Sequence, residues 1–172
     1  MIKSKQLARP SLPSIVPEWN LNKVLTYINV KNLQLSDRDL LRKSAFLLLL
    51  ATGWRISKLH ACVRSDNYCT FSNSSLRIRP HPNFLAKNEK LSNRWKTRDI
   101  KSLVLNNGGI SRLCPVSTLR AYLQRSKRDK DGPLFQPVSK NAKLLTKHNL
   151  STEICKIILE ADPFSKTKFI DV

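Results

Sequence analysis

Arg55 is the side chain whose position in this sequence best suits the binding of an anionic group. An apolar run over residues 45–51 ends at Thr52 and Gly53, and Arg55 follows two positions later. Glycine adopts positive φ without a steric penalty and commonly ends a buried helix. A guanidinium on such a support can hold a phosphate through two parallel hydrogen bonds. The same pattern also fits a capped core helix followed by an ordinary surface arginine.

The cysteines and histidines give little support to a metal centre. Cys62, Cys69, Cys114 and Cys155 are far apart, and none forms a C-x-x-C pair. His60 with Cys62 and Cys69 supplies only part of a zinc ligand set, because the fourth ligand and the usual spacing are missing. We therefore expect reduced thiols, at least some of them packed in the core, and no metal or other cofactor.

The charge of the chain predicts a polyanionic partner. Lysine and arginine number 31 against 12 acidic residues in 172, which gives a formal net charge of +19. Nucleic acid is the partner that we expect first. A membrane surface is the second candidate, but no lipid-anchor signal, basic amphipathic helix or apolar run of roughly 20 residues stands out. Apolar residues make up 41% of the chain, which predicts a globular domain.

Helical spacing predicts the elements that position these side chains. Asn20 and Ser36 are typical N-cap residues before a short and a long apolar-periodic segment. Pro115 and Thr146 begin two later helices, the first running to about residue 127, and Asp162-Pro163 ends the second. We expect three basic residues at an exposed start of the long helix: Arg38, Arg42 and Lys43.

A small sheet is predicted between the two helical parts. Residues 68–71 and 76–78 are β-like and are separated by Ser-Asn-Ser-Ser, which predicts a hairpin. Residues 80–98 read as a long loop or widened hairpin, and residues 99–105 read as the return strand before Asn-Asn-Gly-Gly. The fold class is therefore α+β, mainly α, with a three-stranded antiparallel sheet.

Five segments of the sequence, in the order in which the family has them, resemble parts of the catalytic domain of tyrosine recombinases, also called phage-type integrases. Residues 51–59 are similar to the A-T-G-x-R-x-S-E-L box of that family. The DIRS-type retrotransposon and crypton branch is closer still, because residues 19–25, 59–61, 82–87 and 113–123 resemble its W-(D/N)-L-x-x-V-L, E-L-H-A, P-x-F-x-x-K and L-C-P-V-x-x-L-R-A-Y-L stretches. Residues 1–17 then read as an arm or linker, and residues 18–172 as a partial catalytic domain.

The resemblance implies cleavage of a DNA strand by a tyrosine, through a 3′-phosphotyrosine, without metal or ATP. It assigns the first catalytic arginine to Arg55 and the hairpin lysine to Lys87, with Lys90 and Lys96 as alternatives. Fixed cations would stabilise the charge on pentacoordinate phosphorus, and the lysine would protonate the leaving 5′-oxygen. The resemblance implies double-stranded DNA as the partner, and further contacts to it are expected from a basic set: Arg38, Arg42, Lys43, Lys58, Lys90, Arg94, Lys96, Arg98 and Arg120.

The sequence departs from the family pattern in two places. Lys58 stands where the family has a glutamate. The His-x-x-Arg box and the nucleophilic tyrosine of the family would follow Val172, so we expect a truncated domain that is inactive alone. We also expect an exposed apolar patch near Ile154, Ile158, Phe169 and Ile170, which would favour self-association or a complementing recombinase chain.

Two other interpretations remain open from the sequence. One is a domesticated, non-catalytic DNA-binding protein that retains the fold. The other is a small basic helical protein unrelated to recombinases, which a structure without the intervening sheet would favour. For a eukaryotic mobile element we expect nuclear localisation, and otherwise an intracellular protein.

Overall fold

Five helices and three strands make up the part of the chain that the structure describes. The structure is a computed structural model, and it describes residues 19–31, 35–85, 97–126, 129, 131–137 and 144–165. The helices and strands follow in the order α1 (Leu21–Val30), α2 (Asp37–Thr52), α3 (Ile56–His60), β1 (Cys69–Phe71), β2 (Ser75–Ile78), β3 (Arg98–Lys101), α4 (Pro115–Arg125) and α5 (Lys147–Ala161). The predicted α+β, mainly α class with one small antiparallel sheet is confirmed.

The helices begin where the N-cap residues of the sequence predict. Asn20 Oδ1 accepts a hydrogen bond from the amide of Asn22 at 2.9 Å, and Ser36 Oγ accepts one from Asp39 at 3.1 Å. Thr146 caps α5, and Pro115 occupies the first turn of α4. These caps satisfy amides that have no partner inside the helix, so local sequence fixes the helix starts.

Helix α2 is the centre of the molecule and packs against α4 and α5. Nine consecutive residues, 40–48, are buried, so the helix is enclosed on all sides rather than amphipathic. Its polar Ser44 is fully buried and donates a hydrogen bond to the carbonyl of Leu40 at 2.7 Å. The core around this helix therefore has to accommodate every side chain of its middle turns.

The expectation of an exposed basic start to α2 is wrong for two of its three residues. Arg42 is 8% exposed and Lys43 is 3% exposed, whereas the Arg38 side chain is 62% exposed. Arg42 Nε lies 2.6 Å from Glu153 Oε2, and its Nη1 lies 3.0 Å from Glu160 Oε1. Both acids are on α5, whose packing against α2 encloses the arginine and supplies its counter-charges.

The sheet has the order β1-β2-β3, and its register separates a buried face from a solvent face. Leu76 pairs with Ile100 and both are buried, whereas the exposed Arg77 pairs with the exposed Asp99. Strand β3 is shorter than predicted. Residues 102–111 leave the sheet and form a separate turn, in which Leu105 donates to the carbonyl of Gly109 at 2.7 Å.

The apolar patch predicted on the last helix is wrong at the positions that the structure describes. Ile154 and Ile158 are each 1% exposed, because this face of α5 packs against α1 and α2. Phe169, Ile170 and the arm predicted over residues 1–17 lie outside the described residues. None of the helices within the described ranges has both the length and the apolar character needed to cross a membrane.

We predict that Gly53→Ala lowers the free energy of unfolding by about 1 kcal/mol. Gly53 ends α2 with φ 64° and ψ 21°, a left-handed conformation that strains an L-residue with a Cβ. A Cβ there would meet no atom within 4 Å, so strain alone produces the loss. Urea denaturation measures the change, and Gly53→Asn is the matched variant that should lose less, because asparagine tolerates this conformation. An unchanged stability for Gly53→Ala would contradict the assignment.

Candidate nucleic-acid interface

A braced turn between α2 and α3 presents Arg55. The Gly53 amide donates to the carbonyl of Leu49 at 2.9 Å, which closes the last turn of α2. Thr52 Oγ1 donates to the carbonyl of Leu48 and accepts the amide of Trp54 at 3.2 Å. Because both sides of the glycine are hydrogen-bonded, the backbone of Arg55 has a defined direction.

The Arg55 side chain is exposed and makes no ion pair or hydrogen bond within the described part of the chain. Its carbonyl accepts the amides of Lys58 and Leu59 and so begins α3. Lys58 lies three positions later on the same helix face, and its Nζ is 5.5 Å from the centre of the Trp54 ring. The helix thus brings two predicted contact residues together beside an aromatic ring.

Helix α3 is short, and it is anchored at several points. Leu59 is fully buried, and the His60 ring nitrogen Nε2 lies 2.8 Å from the carbonyl of Leu145, just before α5. The amide of His81 donates to the carbonyl of Ala61 at 2.8 Å. The support for Arg55 is therefore fixed to the helical core and to the segment that leaves β2.

The other described residues of the predicted DNA-binding set lie in different surroundings. Arg38 Nε is 3.7 Å from Glu153, the acid that also binds Arg42. Arg98 is exposed at the start of β3. Arg120 on α4 donates to the carbonyl of Ser72 at 2.7 Å and lies over the Phe71 ring, so it joins the helix to the β1–β2 turn. Lys87, Lys90, Arg94 and Lys96 lie outside the described residues.

The acids that enclose Arg42 are held in their charged form. Burial raises the pKa of Glu153, but hydrogen bonds from Arg42 and Lys156 outweigh it and lower the pKa below its usual range. In Glu160, burial is likewise outweighed by hydrogen bonds from Tyr27 and Lys31. Arg42 consequently serves the packing of α2 on α5.

The tyrosines of the chain are all engaged within the fold. Tyr27 donates to Glu160 at 2.6 Å, and burial together with this carboxylate raises the pKa of the phenol. Tyr122 is 2% exposed and donates to the carbonyl of Gln136 at 3.2 Å. Tyr68 is half-buried beneath the guanidinium of Arg79. The raised phenol pKa of Tyr27 and the buried hydroxyl of Tyr122 are unfavourable for a nucleophile.

Arg64 is an arginine that the sequence analysis did not single out. It is 9% exposed and donates to the carbonyls of Pro133, Leu134 and Ser126 at 2.7–3.2 Å. This guanidinium joins the segment after α3 to the segment after α4, so it is a structural clamp. In the sequence, Arg64 is followed by the polar residues Ser65 and Asp66, and this context does not predict that its side chain is buried.

The thiols are reduced and largely inside the core. Burial raises the pKa of the Cys62 thiol above its usual range, and burial also raises the pKa of Cys69 to about 12. Both are therefore unreactive at neutral pH. Among the described residues, no group of three or more His, Cys, Asp or Glu side chains could hold a metal ion.

Comparison with known proteins finds no match. No protein-family model matches the chain, and neither a curated protein nor a solved structure is significantly similar to it.

We predict that the stability difference between Lys43→Met and the wild type depends on pH. Burial, with the nearby charge of Arg112, lowers the pKa of Lys43 to about 8. In the unfolded chain the same lysine titrates near 10.5. Protonation of Lys43 in the folded state therefore lowers the free energy of unfolding below pH 8, and this loss disappears as the pH rises to 10.5. The advantage of the methionine should be larger by about 3 kcal/mol at pH 7 than at pH 10.5.

Chemical denaturation at several pH values measures this difference. The change for Lys43→Met is compared with that for Lys147→Met over the same range, because Lys147 is exposed at the start of α5. If the stability difference between Lys43→Met and the wild type does not depend on pH, the lowered pKa of the buried Lys43 is refuted.

Proposed function

We propose that this chain binds duplex DNA through backbone contacts, as a catalytic-domain fragment of the tyrosine recombinase type. Arg55 is the group that grips a phosphodiester in this proposal. The observation that supports it is an exposed guanidinium that has no hydrogen bond or ion pair with any described residue and that a hydrogen-bonded turn presents. The formal net charge of +19 supports a polyanionic partner.

The small sheet between the helical parts supports this proposal over an unrelated basic helical protein. In the chain, β1, β2 and β3 lie between α3 and α4, as the resemblance to the recombinase domain implies. A helix that ends in the Thr52-Gly53 turn and a sheet that follows it are two separate features of that resemblance. The interpretation as an unrelated basic helical protein does not account for both features together.

We propose further that these 172 residues bind DNA without cleaving it. Each of the three tyrosines has a hydrogen-bond or stacking partner inside the fold. A phenol that is buried or held by a carboxylate would have to leave that site to reach a phosphorus atom. Strand cleavage by Tyr122 would therefore require unfolding of part of the core, and cleavage by Tyr27 would require loss of its hydrogen bond to Glu160.

A domesticated DNA-binding protein that retains the fold is the alternative function. The lysine at position 58, where the recombinase family has a glutamate, favours it. In a protein without catalysis, Arg55 has no special role, and any exposed lysine contributes similarly. The two proposals therefore differ in how much Arg55 contributes to the affinity for DNA.

We predict that Arg55→Ala weakens binding to a fluorescein-labelled duplex about tenfold, as expected for a lost charge-assisted hydrogen bond. Lys147→Ala, which removes an exposed charge on α5, is the matched control and should cost about twofold or less. Fluorescence anisotropy measures both affinities. Equal losses would favour the domesticated protein.

Salt titration of the same complex tests whether DNA binding occurs through phosphates. The affinity should fall steeply with KCl, because each neutralised phosphate releases about 0.9 counterion on duplex DNA. A flat response would contradict binding through the backbone.

A suicide substrate tests the absence of cleavage. We expect no covalent complex between the chain and a nicked duplex that would trap a 3′-phosphotyrosine. A DNA-linked band on a denaturing gel, lost in Tyr68→Phe or in one of the other tyrosine variants, would show that a tyrosine of this chain does act as nucleophile.

A further inference from the structure

A concave surface lies on the solvent face of the sheet and shares no residue with α3. This sheet groove is open to solvent and has a volume of about 410 Å³. Most of its described lining side chains carry hydrogen-bond donors: Asn67, Tyr68, Thr70, Arg77, Arg79 and Thr97. Asp66 is the one carboxylate among the described lining residues. The groove is therefore rich in donors and has two guanidinium groups.

The register of the sheet explains why these side chains converge. Arg77 pairs with Thr70 on one side and with Asp99 on the other. Arg79 lies two positions further along the chain, and alternate residues of a strand face the same side. Its amide donates to the carbonyl of Tyr68 at 2.9 Å, so Tyr68 and Arg79 continue the same solvent-facing rows.

Arg79 is held in one orientation by its neighbours. The centre of its guanidinium lies 4.7 Å from the centre of the Tyr68 ring, and its Nε donates to the carbonyl of Asn67 at 3.1 Å. The His81 ring lies 5.9 Å from the Tyr68 ring, which restricts the tyrosine in turn. An oriented guanidinium loses less side-chain entropy when it binds an anion than a mobile lysine does.

Arg77 supplies a second cation that can change partners. Its Nε lies 2.8 Å from Asp99 Oδ1, but the two side chains are 67% and 58% exposed. Exposed ion pairs of this kind contribute little net free energy, so an anion in the groove competes with Asp99 at small cost.

We propose that the sheet groove binds a phosphate group of the nucleic-acid backbone, with Arg79 as the oriented donor and Arg77 as the second cation. The inference rests on the proposed function, because duplex DNA is the source of phosphate that the net charge of +19 favours. A free phosphate ion presents the same oxygens and is the other source of this chemistry.

Two substitutions with opposite expected effects test the groove by anisotropy with the labelled duplex. Arg79→Gln removes the oriented cation, and affinity should fall about tenfold with a salt slope smaller by about 0.9. Asp66→Asn removes the negative charge from the lining, and affinity should rise about threefold. Lys147→Gln and Asp131→Asn make the same charge changes at exposed positions outside the groove and should each change affinity by about twofold or less.

Folding of the variants is checked by thermal unfolding. Arg79→Lys keeps the charge but loses the planar stack on Tyr68, so its affinity should lie between those of the wild type and Arg79→Gln. If Arg79→Gln does not fold, Asp66→Asn decides alone, because its carboxylate has no hydrogen bond or ion pair within the described part of the chain.

The outcomes separate the groove from the Arg55 proposal. If the wild type binds DNA and both groove variants match their controls, the groove inference is overturned while the proposed function stands. If the wild type shows no salt-dependent DNA binding, the proposed function fails, and titration with inorganic phosphate decides the groove. A shift of the Arg79 Nε–H resonance, absent in titration with chloride, then supports a free-phosphate site, and no shift overturns it.

Discussion

The packing of the helical core depends on the ion pairs that Arg42 of α2 makes with two acids of α5. A guanidinium at 8% exposure requires counter-charges, and Glu153 and Glu160 provide them at 2.6 Å and 3.0 Å. The two acids lie seven positions apart on α5, which is close to two turns, so they present one face to the arginine. Arg42 therefore joins α2 to two successive turns of α5 inside their packed interface.

The same helix also determines where the exposed guanidinium lies. Helix α2 is enclosed over residues 40–48, so its C-terminal end at Gly53 has little freedom to shift. The turn that follows is braced by Thr52, and α3 is anchored by the fully buried Leu59. Arg42 and Arg55 are thus two uses of one residue type. One guanidinium is satisfied inside the fold, and the other is carried by a rigid support with its side chain toward solvent.

The sequence predicts the elements of this fold better than it predicts which basic residues reach solvent. Caps such as Ser36 and Thr146 act through their own neighbours, and so do turn residues such as Gly53, which is why the helix boundaries follow from local spacing. Burial of Arg42 depends on acids more than a hundred positions later in the chain. Arg64 is likewise satisfied by carbonyls after α4. The alternation of Arg77 and Arg79 is a local signal for a shared face, but the stack on Tyr68 requires the strand pairing.

The burial of some basic side chains also changes what the net charge implies about binding. Formal charge attracts a polyanion at long range, whereas affinity depends on the cations that touch phosphates. Arg42 and Arg64 add to the formal charge but not to the cations that can touch phosphates, because their donors are used inside the fold. Arg55 and Arg79 are carried by segments joined through the hydrogen bond from His81 to Ala61. This backbone contact fixes the end of α3 to the segment that follows Arg79, so both arginines are carried by parts of the chain that are tied to one another.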